Sequence, residues 1–363
     1  DVFQCKCSNE YVDGDRTLKF TFSIRGNEVV TPFQLSPTPM SGRPVLDLRG
    51  MNLSGIDMSE VDLEGADMTG ADMTDAILIN ADMSGANMTD AILINADMSG
   101  AKLIKANLRE ANLEGANLSW ANLTGAYLEG AKLIKTILIE AILIEANLTR
   151  ANLTGANLTR ADLTGAKLIK TILEWATLEE AKLIKAILTE ANLTRAYMTR
   201  ADLTEAKLEE ADLTEAKLTR AFLLRANLTG ADLAKADMTG ANLTEADMTG
   251  AHLARAILVL TIMVEAKLIH ANLMWANLTG AFLKRANLTE ANLIWANLRE
   301  ANLIEAILIK ADLREAILRE AILIKANLTE ANLIWANLTR AVLMDAILTD
   351  AELEGTVLAE EPE

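Results

Sequence analysis

The side chains best suited to acid–base or metal chemistry are few. The 363 residues hold two histidines, His252 and His270, and two cysteines, Cys5 and Cys7, against 51 carboxylates. A histidine pair that moves protons or holds a metal has to converge on one point. Cys5 and Cys7 flank Lys6. On a strand they would share a face but sit too far apart to bond comfortably. They read as two free thiols, with an interchain bond, a strained bond or a metal site as the alternatives. There is no glycine-rich phosphate loop and no G-x-S-x-G nucleophile turn. The reading is of a chain with no enzyme activity and no catalytic, cofactor-binding or metal residues. The Asn-Leu-Thr and Asn-Leu-Ser triplets fit a glycosylation sequon but arise automatically from the repeated word described next.

What positions every side chain is a five-residue word. From Leu46 to Glu360 the sequence is 63 consecutive pentapeptides without a slip. The centre of each word is Leu (53) or Met (10), and the residue two before it is Ala in 55. A helix would carry the Leu stripe around its surface, and a flat strand would flip it at every word. A chain that turns a corner once per word keeps every Leu inside. Each Leu so buried contributes roughly 1.5–3 kcal/mol.

Words such as "ADLTG" (161–165), "ANLTR" (146–150) and "ADMTG" (66–70) match A(D/N)LXX, and the chain from 46 to 360 resembles the pentapeptide-repeat family. The resemblance implies an all-β fold, a right-handed quadrilateral (four-sided) β-helix with four words per coil. Its centre Leu and its Ala point inward, and the other three positions point out. The count gives about sixteen coils, and stacking at ~4.8 Å gives a length of roughly 75 Å. Leu46, Met51, Ile56 and Val61 replace Ala through the first coil and read as an N-terminal core cap.

Residues 1–45 do not follow the word. "RTLKFTFSI" (16–24) alternates like a half-buried strand, "RGNE" (25–28) is a turn, and "VVTPFQL" (29–35) is a second strand. "VFQCKC" (2–7) is a candidate third. The expected organisation is a small β-rich cap or attachment segment over 1–45, ending in a Pro-rich linker (36–44). The β-helix follows over 46–360, then an acidic tail at 361–363.

Taking the words in order as sides one to four gives each outward residue a column. Trp175, Trp275, Trp295 and Trp335 all end their words on the second side; Trp120 falls on the third. Met274, Ile294 and Ile334 add apolar area beside the rings. The column reads as a contact patch, or as a copied word covering a corner; a sugar-stacking ladder is a weaker alternative. On the fourth side Ile262, Val264, Phe282, Ile304, Ile322, Ile324, Val342 and Met344 fall on five successive coils. An apolar strip of that length exceeds what a soluble monomer usually leaves uncovered. It reads as a protein contact, self-association being the simplest form. His252 and His270 fall on different sides, the second and the first.

The formal charge of −17 is uneven. Residues 46–100 carry −10 and residues 341–363 carry −7, while 1–45 and 101–340 are each neutral. Such a chain is not expected to bind nucleic acid directly. No apolar run reaches transmembrane length, and "DVFQCKCSNE" (1–10) lacks the regions of a signal peptide. Membrane insertion is therefore not expected, and a soluble, cytoplasmic or virion-associated location is favoured. The function that fits best is a non-enzymatic, elongated scaffold or interaction rod, such as a component of a virus or phage fibre or a surface scaffold. Its partner would be a protein or a second copy. The alternative follows from the resemblance: an acidic B-DNA mimic that binds DNA gyrase or topoisomerase IV, of the quinolone-resistance type. The end-clustered charge, the lack of an interrupting loop and the lack of a C-terminal amphipathic helix depart from that pattern. A second alternative is ice or surface binding through threonine arrays, which Arg, Glu, Ile and Lys interrupt on every side.

Overall fold

The computed structural model describes residues 4–12, 15–24, 27–33 and 46–358. The Pro-rich linker and the acidic tail lie outside these residues. Three strands open the chain: β1 (Gln4–Val12), β2 (Asp15–Ile24) and β3 (Asn27–Phe33). They form one antiparallel sheet in the order β1-β2-β3. β1 pairs with β2 from Gln4↔Ser23 to Val12↔Asp15, which sets Cys5 and Cys7 opposite Phe22 and Phe20. β2 pairs with β3 from Leu18↔Phe33 to Ile24↔Asn27. Pro32 is tolerated because β3 is an edge strand.

From 47 to 157, and again from 182 to 337, the residue before each centre Leu or Met forms a parallel bridge with the residue 20 positions later. Twenty residues are four words, so one coil has four sides, and the chain is a four-sided β-helix. The molecule divides into two units, Asp1–Thr177 and Leu178–Glu363. In the first the bridges run from Asp47↔Asp67 to Asn157↔Thr177; in the second, from Lys182↔Asp202 to Asn337↔Val357.

One word shows how five residues make a side and a corner. The Leu63 N–H donates to the Asp82 carbonyl at 2.7 Å, and Gly65 N–H to the Ser84 carbonyl at 2.9 Å. The corner is a β-turn closed by the Ala66 N–H on the Leu63 carbonyl at 3.0 Å. Its third residue alone has positive φ, the type II pattern. The same holds at every fifth position from 50 to 355, where φ lies between 54° and 69°. Glycine fills 16 of these positions; the other 46 are mostly Glu, Arg and Lys, held in a region that side chains disfavour. The repeated inter-rung bonds and the buried Leu over-determine the conformation.

The Asp or Asn before the centre has a local task. Asp67 Oδ1 accepts the Thr69 backbone N–H at 3.1 Å and the Thr69 hydroxyl at 2.5 Å. Asn152 does the same for Thr154 at 3.0 and 2.7 Å. This Asx-turn explains why Asp or Asn, then Leu, then Thr or Ser recurs.

The interior is uniform. Every Leu or Met centre from 48 to 338 is buried, as is the inward Ala beside it. In the first coil Leu46, Ile56 and Val61 are buried, while Met51 is half-buried. At Thr136, Thr171 and Thr261 the corner Ala is replaced and the buried hydroxyl finds a partner. Each donates to the carbonyl 23 residues earlier, of Leu113, Leu148 and Met238, at 2.8–2.9 Å. In the last coil the centres lose cover: Leu343 and Leu348 are half-buried, Leu353 and Leu358 exposed. A cavity of about 100 Å³ opens among them and Leu328, Leu333 and Leu338.

Candidate interaction surfaces

With the interior filled by Leu, Met and Ala, only outward positions can meet another molecule. Each coil presents three columns per side: the bridge residue, the residue after the centre, and the corner residue.

On the fourth side of the second unit the bridge column runs Phe222, Asn242, Ile262, Phe282, Asn302, Ile322 and Val342. Ile262 (36% exposed), Phe282 (43%), Val342 (44%) and Met344 (59%) stand open to solvent. Val264, Ile304, Ile322 and Ile324 are half-buried, because column neighbours one rung away cover part of each. The eight residues share one side, and the apolar surface extends further than the sequence reading put it. Phe222 is half exposed on the same column, and Leu224 lies beside it. Ile257 and Leu260 bring apolar surface to the adjoining corner. Leu260 is the one aliphatic residue in a corner position, at φ 54°. Counting in steps of 20 from Phe282 back to Phe222 was the signal that would have found the first two.

On the second side Trp275 and Trp295 stack, with ring centroids 5.1 Å apart and planes 5° from parallel. The stack covers one face of each ring with the other. Trp335 lies two rungs on, 64% exposed, with its ring over Gly355. A β-carbon at 355 would sit 2.7 Å from that ring. Met274, Ile294 and Ile334 beside the rings are half-buried. Trp120 and Trp175 are exposed on rungs of the first unit.

The charged residues largely answer one another between rungs. Arg195 and Lys235 both reach Glu215, at 2.8 and 3.1 Å, and hold its carboxyl below the usual range. Arg225 bonds Glu245 at 2.8 Å, Arg285 meets Glu265 at 2.9 Å, and Arg160 meets Glu140 at 3.1 Å. Arg109 bonds Glu129 at 3.1 Å and lies 4.5 Å from the Tyr127 ring centre. Among the acidic early rungs, Asp47 is lowered to about 2 by the Arg49 guanidinium and backbone N–H. Asp72 is lowered by the Thr74 hydroxyl and N–H. Partial burial pushes Asp82 up, but bonds from Ser84 and Lys102 outweigh it and leave it lowered.

The histidines do not converge. His252 Nδ1 lies 3.1 Å from Asp232 on the second side, and His270 Nδ1 lies 3.3 Å from Glu290 on the first. Among the described residues no three His, Cys, Asp or Glu side chains gather as a metal site, and no helix is long and apolar enough to cross a membrane.

Repeating corners, inward Leu and 20-residue bridges define a solenoid of pentapeptides. The family model for pentapeptide repeats (8 copies) matches residues 47–80, 78–109, 101–138, 141–179, 171–209, 206–244, 241–280, 266–303, 286–323, 296–333 and 326–359. The chain belongs to the pentapeptide-repeat family, whose fold is the right-handed quadrilateral β-helix.

Similar solved structures include HetL, a pentapeptide repeat protein involved in heterocyst differentiation regulation in the cyanobacterium Nostoc sp. strain PCC 7120. It is 39% identical over 59% of this chain and 90% of its own, with a TM-score of 0.29. A pentapeptide repeat protein of the Arabidopsis thaliana thylakoid lumen is 26% identical over 28% of this chain and 68% of its own, at 0.23. QnrB1, a plasmid-mediated fluoroquinolone resistance protein, is 17% identical over 60% and 91%, at 0.30. A search of the curated proteins finds no match.

Proposed function

We propose that this chain is a non-enzymatic β-helical scaffold that meets another protein through its outward columns, as a structural component of a larger assembly such as a virus or phage fibre or a surface scaffold. The observation that carries this reading is the fourth side of the second unit. There apolar bridge and flanking residues line up on successive rungs beside a corner column of charged residues, from Arg225 to Asp345. An apolar centre with a polar rim is the anatomy of a protein interface. The Trp275–Trp295 stack adds a second, smaller candidate patch.

The second reading, a DNA mimic acting on gyrase or topoisomerase IV, is favoured by one observation, the −10 carried by residues 46–100. Against it, residues 101–340 are neutral overall and ten of their carboxylates, from Glu129 to Glu330, are tied to Arg or Lys one rung away, whereas a duplex is negative along its whole length. Gyrase supercoiling and topoisomerase IV relaxation assays separate the two. The scaffold reading expects full enzyme activity in a tenfold excess of this chain. Inhibition that disappears when Asp62, Asp72 and Asp82 are changed to Asn would replace it with the mimic.

A further inference from the structure

We infer that the fourth side of the second unit pairs with the same side of a second copy of this chain, the two running antiparallel about a two-fold axis between rungs 281–285 and 301–305. The inference rests on the reading of that side as a contact surface, and adds the occupant and its arrangement.

The first support is area. Side chains of this size offer roughly 150–250 Å² each when fully exposed. At the exposures above, the part of the stripe that the two-fold covers, Ile262 to Met344, leaves on the order of 500 Å² of apolar side chain uncovered. A stable interface buries about 800 Å² per partner, somewhat over half of it apolar. The stripe and its charged margins therefore make up one side of a standard interface. Two such β-sheet faces pack at about 10 Å with their side chains interleaved.

The second support is charge. Most charged residues of this region have an ionic partner within the chain, but four beside the stripe have none among the described residues: Lys284, Glu305, Lys325 and Asp345. Lys284 stands exposed in the middle of the apolar columns, between the Val264 and Ile304 rungs. An unpaired ammonium there is costly to cover with an apolar partner.

An axis lying along the strands, midway between the two named rungs, places each column opposite itself with the rung order reversed. Ile262 and Val264 of one copy then face Ile322 and Ile324 of the other. Arg285 faces Glu305, Lys284 lies beside that same Glu305, and Glu265 faces Lys325. Three of the four unpaired charges thereby meet an opposite sign, and the two-fold repeats each pairing. One like-signed pair, Glu245 and Asp345, falls at the outer end, where solvent screens it. Parallel copies would instead set Arg220 against Arg225 and Glu300 against Glu305, two like-signed contacts beside the opposite-signed Glu320–Lys325 and Arg340–Asp345, where the antiparallel pair has one like-signed contact. Like charges placed face to face select against that arrangement.

Light scattering on the full chain, with Kd from sedimentation equilibrium, tests the inference. The expected result is twice the 39.3 kDa chain mass. Glu305→Lys alone and Lys284→Glu alone should each weaken association roughly tenfold or more, and the double swap, which still sets Arg285 against a lysine, should recover part of the loss. Neither side chain has an ionic partner among the described residues, so the circular dichroism spectrum should not change.

A 39.3 kDa monomer throughout, to about 100 μM, overturns the second copy as occupant; the scaffold reading then stands with a different partner. A dimer indifferent to the single reversals, or not rescued by the swap, overturns the antiparallel arrangement. A dimer unweakened by Ile322→Asn with Ile324→Asn overturns the face itself, and the scaffold reading with it.

Discussion

Rungs 46–100 and rungs 221–345 share one interior and present opposite exteriors. In the early rungs 11 acidic residues face a single Arg49, and six of 11 word centres are Met. In the later rungs acidic and basic residues both occupy the corners, and on the fourth side apolar residues occupy the bridge column. The backbone is indifferent to this change: corner φ angles and inter-rung bond lengths are the same in both. Two inward positions per word set the fold, and three outward positions are released from that task. In the early rungs the released positions carry Asx-turns and net charge; in the later ones they carry ion pairs and the apolar side.

The strongest way to break the comparison is to attack the interior in both places. Leu93 and Leu288 are fully buried. Replacing either with Ala should cost about 2–5 kcal/mol. Urea unfolding should show similar losses; a much smaller loss at Leu93 would mean that the Met-rich early core collapses around the cavity, and the shared interior would be shared in pattern only.

A smaller effect is expected where the later interior departs from Ala. Removing the Thr261 hydroxyl, which donates to the Met238 carbonyl at 2.9 Å, should cost about 1 kcal/mol. No loss in Thr261→Ala would show that the corner relaxes to the common form.

The corners should respond in the other direction. Arg150 sits at φ 61°. Arg150→Gly should raise stability by about 1 kcal/mol, as a higher urea midpoint at unchanged slope. A fall would mean that the arginine stem packs on neighbouring rungs more than the strained backbone costs.

The smallest effect is a pH dependence of the early rungs. Asp47, Asp72 and Asp82 are held below the ordinary carboxylate value. Depressed folded-state values mean a stabilisation present above the unfolded value, near 3.8, and lost as pH falls through the folded ones, down to about 2 for Asp47. Hydrogen exchange of early-rung amides between pH 5 and pH 2 should show protection falling over that window. Unchanged protection would mean that the Asx-turns are no stronger with a carboxylate than with its protonated form.

The inward half of the word was fully legible, because Leu and Ala at fixed spacing leave one way to stay buried. The columns followed from counting by 20, which set Ile262, Phe282, Ile322 and Val342 on one side. The corner conformation was not legible: Glu, Arg and Lys give no local sign of positive φ, and only stacked rungs impose it. Ring orientation was equally hidden. Composition places Trp275 and Trp295 in one column, but only coordinates show their faces spent on each other. β2 extends one residue before the expected Arg16, and β3 begins at Asn27 rather than Val29, because hairpin pairing continues to the turns.

The 20-residue spacing of the bridges has a consequence for how such a sequence can change in length. Adding or deleting a single word anywhere keeps every Leu indoors, so the core would not register it. Yet every column beyond that point would be handed to the neighbouring side. One word gained between Phe282 and Ile322 would carry Ile322, Val342 and Met344 a quarter-turn away from Ile262. Only whole coils can be inserted without scrambling the exterior. The word of five is thus the grammar of the fold, while the smallest heritable step that preserves a surface is a block of twenty.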